Sequence, residues 1–155
     1  VSETQLSRVE EYVALAREEG AKVLTGGHRL TDLGNGYFYA PTVVTGLSKE
    51  SRLMREEIFG PVLPVYSVES LDEAIGVAND VIYGLAASVF TRDVRVALTF
   101  AENIEAGMIH INHGTASQPH VPFGGVKHSG QGAYSIGPTA KDFYTVDKIV
   151  YVRTN

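Results

Sequence analysis

The chain contains no cysteine and no tryptophan among its 155 residues. Without a thiol it can form no disulfide, build no zinc–thiolate site and supply no thiolate nucleophile. Its thiol chemistry therefore says nothing of redox compartment. Long apolar runs are missing as well. Nothing approaches the ~18–20 residues that a membrane-crossing helix needs, and no basic-then-apolar leader opens the sequence. An excess of positive charge is also absent: thirteen basic residues are interleaved with eighteen acidic ones, for a formal net charge of −5. Binding to phosphate backbones calls instead for clustered Lys and Arg. Neither nucleic acid nor a membrane is expected as a partner. The first residue is Val1 rather than Met, which leads us to expect a processed chain or a fragment.

What is present suffices for a buried core. Hydrophobic residues make up 44% of the chain, with eight Tyr and six Phe, a composition that fits one compact domain or a large part of one. Ser2 and Gln5 fit a capping box ahead of Leu6, Val9, Val13 and Ala16, predicting a helix over 3–19 that stops at Gly20. A strand at Lys22–Thr25 follows, then a Gly34-Asn35-Gly36 turn and an extended stretch 37–44 whose Pro41 suggests a sheet edge. Pro61–Val68 is strand-like, although Pro64 argues against a central position. Ser70 and Glu73 cap a second helix, Leu85–Phe90 is apolar and β-like, and Asp93 caps a third helix to about Glu105. Met108–Asn112 then reads as a strand. Residues 112–132 form a loop rich in Gly, Pro, Ser and His, too long for a plain connector and therefore expected to be functional. Val146–Val152 alternates and is β-branched, so it reads as a terminal strand. The order of elements predicts an α/β fold with a largely parallel sheet and flanking helices.

Common catalytic signatures do not occur. No G-x-G-x-x-G joins a strand to a helix, no Walker-type phosphate loop is found, and H-E-x-x-H and G-x-S-x-G are lacking. Of the five histidines, His110 and His113 are the closest pair, but on a strand they would point to opposite faces. No carboxylate lies nearby to complete a ligand set, so no metal site is expected. Glu56-Glu57-Ile58-Phe59-Gly60-Pro61 is more suggestive. On an extended segment, residues 57 and 59 share a face. Glu57 and Phe59 could then offer one ligand a carboxylate suited to a vicinal diol and a flat apolar surface. On spacing alone, an exposed acid and a core phenylalanine is the more economical account.

Four colinear blocks resemble the NAD(P)-dependent aldehyde dehydrogenases. Glu56-Glu57-Ile58-Phe59-Gly60-Pro61 is similar to their E-E-x-F-G-P segment, and 78–87 to A-N-x-x-x-Y-G-L-A-A. Residues 107–112 match G-x-x-x-x-N, and 122–130 match P-F-G-G-x-K-x-S-G. The resemblance covers nearly the whole chain. It implies the C-terminal part of the catalytic domain over 1–145 and an oligomerisation strand over 146–155. It also implies cofactor contacts from Glu57, to the nicotinamide-ribose hydroxyls, and from Phe59, beside the ribose and ring. Phe123 would line the aldehyde tunnel, with His113, Ser117 and His120 near its mouth. The implied cofactor is NAD or NADP, and the implied assembly is a homo-dimer or tetramer formed through the terminal strand, in the cytoplasm. In this family a cysteine thiolate attacks the aldehyde, hydride passes to NAD(P)+, and water releases the acid. That cysteine lies upstream of the segment present here, so no catalytic residue is expected in this chain and the chain alone is expected to be inactive. Ala133-Tyr134 stand where many members have Arg-Glu. Residues 119–122 and 137–140 look most like semialdehyde- and sugar-acid-type members. The alternative is a naturally short, non-catalytic module of the same family that acts in oligomerisation.

Overall fold

A computed structural model describes residues 2–154. The chain divides into two compact units, Val1–Asp80 and Val81–Asn155, each described here by itself. Val1 and Asn155, the outer ends of the two expected spans, lie outside the described residues.

The first unit is built on helix α1 (Glu3–Glu18), strands β1 (Lys22–Thr25), β2 (Thr42–Thr45) and β3 (Val62–Val65), and helices α2 (Arg52–Arg55) and α3 (Leu71–Asn79). The Ser2 hydroxyl accepts from the Gln5 amide, so α1 starts where its cap predicts. Its apolar stripe, Val9, Tyr12 and Ala16, packs with Val44, Leu47, Leu53 and Ile58 into one buried cluster. The strands run in the order β1-β2-β3, with β1 antiparallel and β3 parallel to β2. The expectation that Pro41 marks an edge fails. Strand β2 is the middle strand, and Pro41 precedes its first ladder residue, so the missing N–H costs the sheet no bond. Pro64 does lie on an outer strand, β3.

In the second unit, β4 (Ala86–Val89) and β5 (Met108–Ile111) pair in parallel around helix α4 (Val94–Asn103), whose N-terminal amides Asp93 caps. Two of the three strand pairings among the described residues are thus parallel, in two small sheets. Beyond β5 come the long loop, two 3-10 turns (Lys127–Ser129 and Gly137–Thr139) and the short helix α5 (Ala140–Tyr144). The expected terminal strand is not formed. Residues 145–154 carry no regular structure, and Val146, Ile149, Val150, Tyr151 and Val152 are exposed. A strand is defined by a hydrogen-bonded neighbour, and no described strand pairs with this segment. Among the described residues no helix is long and apolar enough to cross a membrane.

Candidate functional site

The first group of expected residues lies between α2 and β3. Its two adjacent acids separate cleanly. Glu56 caps the end of α2 and is fully engaged: Arg52 grips it with two hydrogen bonds of 2.6 and 2.9 Å, and the Tyr12 hydroxyl donates to it. The Arg52 guanidinium, aided by Tyr12, holds the Glu56 carboxyl down at about 2, against an ordinary value of 4.5. Arg8 and Arg52 also lie over the Tyr12 ring, at 5.6 and 5.3 Å from its centroid. Glu57 is exposed, and its carboxylate meets no hydrogen-bond or ion-pair partner among the described residues.

Burial alternates through this segment. Ile58 is buried in the core, while Glu57 and Phe59 face outward together. Phe59 is 76% exposed, so it is not a core side chain. Its backbone takes φ 59°, in the left-handed region that non-glycine residues enter at a cost. Contacts from α1 hold the turn in place. The Gln5 amide donates to the carbonyls of Ile58 and Phe59 at 3.1 and 2.9 Å, and Arg8 donates to the Glu57 carbonyl at 2.8 Å. Gly60 presses on α1 so closely that a Cβ there would sit 2.4 Å from a Val9 methyl. Gln5 and Arg8 were not foreseen from the sequence as site residues. Gln5 was read only as part of a cap, yet its side chain serves a segment 53 positions away. An exposed carboxylate beside an exposed aromatic, on a backbone fixed from behind, fits the ribose and ring of a nicotinamide cofactor.

The second group belongs to the other unit. A cavity of about 350 Å³ is lined by residues of β5 and the long loop, among them His110, His113, Ser117, Gln118 and Phe123. Three of the four expected substrate residues, Phe123, His113 and Ser117, therefore meet at one pocket. His120 is exposed on the same loop but does not line it. The expectation that His110 and His113 point apart is corrected. Strand β5 ends at Ile111, and Asn112 takes φ 59°, which swings His113 back until the two rings meet edge to face at 4.8 Å. The Asn112 side chain anchors that turn by accepting from the Thr91 amide at 2.8 Å.

The P-F-G-G-x-K-x-S-G segment is packed backbone to backbone. A Cβ on Gly107 would lie 2.1 Å from the Gly124 carbonyl oxygen, and one on Gly130 would lie 2.2 Å from that of Gly125. Lys127 bonds the Val81 carbonyl at 3.1 Å and pairs with Glu105 at 2.5 Å. Ser129 accepts from the Gly84 amide at 3.0 Å. Tyr134, the second residue of the Ala133-Tyr134 pair, lays its ring against Gly124, within 2.2 Å of where a Cβ would be.

Residues 1–150 match the aldehyde dehydrogenase family. The alpha-ketoglutaric semialdehyde dehydrogenase of Bacillus subtilis is 39% identical over 98% of this chain. The alpha-ketoglutarate semialdehyde dehydrogenase of Haloferax volcanii is 42% identical over 97% of it. The crystal structure of betaine aldehyde dehydrogenase from Staphylococcus aureus in complex with NAD+ superimposes on 94% of the chain, with a TM-score of 0.88 and 38% identity. The chain spans 32% of the length of each of the two semialdehyde dehydrogenases and 29% of the betaine enzyme. With a match over nearly its whole length, this chain belongs to the aldehyde dehydrogenase family.

Proposed function

We propose that this chain is the C-terminal portion of an enzyme that oxidises an aldehyde to a carboxylic acid with NAD(P)+. The names of the two semialdehyde dehydrogenases favour a semialdehyde as substrate. The observation that carries the reading is the division of labour at 56–59: one acid is locked into the fold, while its neighbour and Phe59 face outward on a braced turn. Glu57 would hold the ribose hydroxyls, and Phe59 would limit where the nicotinamide can lie. NAD(P)+, when bound, supplies the hydride acceptor. Phe123, with His113 and Ser117, would guide the aldehyde, and His120 would stand near the entrance. The cysteine thiolate that this chemistry requires is not in this sequence, so on this reading the chain alone turns over no aldehyde.

The test is made in the full-length protein. Glu57→Gln keeps the shape and removes the charge, which should cost about 1.5–3 kcal/mol per charge-assisted hydrogen bond. It is expected to raise the cofactor KM and slow hydride transfer. Glu56→Gln should do much less to either. Equal effects of the two substitutions on cofactor kinetics would refute the assignment.

A further inference from the structure

We propose that His110 is a positioning residue that fixes one wall of the Met108–Phe123 cavity and thereby sets which aldehydes enter it. The inference rests on reading that cavity as the aldehyde pocket. His110 stands on β5 and is 7% exposed, whereas Ile111 and His113, which follow it, are exposed. Its Nε2 lies 3.2 Å from both the amide nitrogen and the carbonyl oxygen of Ala116. A neutral imidazole nitrogen can accept from the first or donate to the second, so either tautomer ties the ring to the Ala116 backbone. Nδ1 is buried with no partner among the described residues. The polar work of this ring is thus confined to the loop.

That tie closes residues 110–116 into a compact turn. One end is held by Asn112, whose amide donates to the Val89 carbonyl and whose side chain accepts from Thr91. His110 holds the other end. The next two residues, Ser117 and Gln118, bring a hydroxyl and an amide to the lining of a cavity whose apolar wall is formed by Met108, Ile109, Val121, Pro122 and Phe123, with His113 also lining it. If the Ala116 peptide shifts, these two donors move away from the apolar wall. A pocket built this way favours an aldehyde carrying a polar or carboxylate tail over a plain alkyl aldehyde, and the preference depends on the tie.

The experiment compares kcat/KM for succinic semialdehyde and butanal, two four-carbon aldehydes that differ in the terminal carboxylate, using the full-length protein. His110→Phe keeps a ring but cannot bond Ala116. It is expected to lower the ratio at least about tenfold, through KM for the semialdehyde, with the cofactor KM unchanged. His110→Gln, whose amide can still reach a backbone group, should recover much of the ratio. A merely structural histidine would lower thermal stability and leave the ratio alone. An unchanged ratio in His110→Phe, or no recovery in His110→Gln, overturns the proposal; His110→Leu serves if the phenylalanine variant is not recovered folded. Phe123→Ala separates the two levels. If it too leaves aldehyde kinetics untouched, the pocket reading falls and takes the proposal with it. If it alters them while His110→Phe does not, only the proposal falls.

Discussion

Neighbouring side chains of one chemical type can carry unrelated duties, and Glu56 and Glu57 show how the fold separates them. Glu56 follows the last residue of α2, four positions after Arg52, so its carboxylate reaches the guanidinium and the Tyr12 hydroxyl behind it. Glu57 is turned the other way by the extended backbone. The tie at Glu56 makes a pH prediction with a definite sign. Its folded value, about 2, lies below its ordinary 4.5, so the pair stabilises the fold fully above pH 4.5. That contribution fades as pH falls from 4.5 towards 2. Glu56→Gln should therefore unfold more easily than the parent at neutral pH, and the difference should shrink with acidification across that window. Urea unfolding at a series of pH values checks it, and a gap that is constant or grows on acidification would remove Glu56 from this role. The pair is solvent-accessible, so added salt should also narrow the gap. The tie at Glu56 was not readable in the sequence, where alternation along an extended segment and the family resemblance were all that told the two acids apart.

At the scale of elements, what was legible was local. Ser2, Ser70 and Asp93 cap α1, α3 and α4 because each bond spans only two or three residues. The reciprocal arms expected of the two capping boxes do not form that way. Glu73 accepts from the Glu69 amide rather than from that of Ser70, and Gln5 leaves its own helix for residues 58 and 59. Helix α2 is four residues long, too short for any periodicity to announce it. Its cap, Ser51 accepting from the Leu53 amide, is the one signal that could have found it. The long loop over 112–132 was recognisable by length and composition, but the turn at Asn112 that brings two histidines together was not. The brace from α1 to the 57–59 turn is the element-scale contact with most to test. Gln5→Met keeps the length of the side chain and leaves two carbonyls without their donor. At about 0.5–1.5 kcal/mol for each bond, the loss should be about 1–3 kcal/mol in stability. The cofactor KM should rise with it, because the strained φ of Phe59 loses its support. Unfolding and steady-state kinetics on one preparation check both effects. A variant with unchanged stability would show that the brace is ornamental.

For the molecule as a whole, the C-terminal segment is the part least explained by this chain alone. Val146, Ile149, Val150, Tyr151 and Val152 all lie on its surface, from 69% to 93% exposed. Leaving five large apolar side chains in water forgoes roughly 1.5–3 kcal/mol for each that could be fully buried. Their alternating, β-branched sequence has high strand propensity, yet the backbone pairs with no described strand. An unpaired, apolar, β-prone segment is a template for strand addition. We therefore expect it to be satisfied by the edge of a sheet in another subunit, giving a homo-dimer or tetramer. The prediction is that the isolated chain self-associates or precipitates as its concentration rises. Val150→Pro should oppose this by removing a backbone donor from the middle of the segment. Sedimentation velocity over a concentration series measures the outcome. In the full-length protein the same substitution should shift the assembly towards smaller species, while cofactor affinity, which we propose rests on residues 57–59, is unchanged. A chain that stays monodisperse and monomeric at high concentration, with 146–152 ordered against its own core, would show that the segment folds back on its own unit and has no role in assembly.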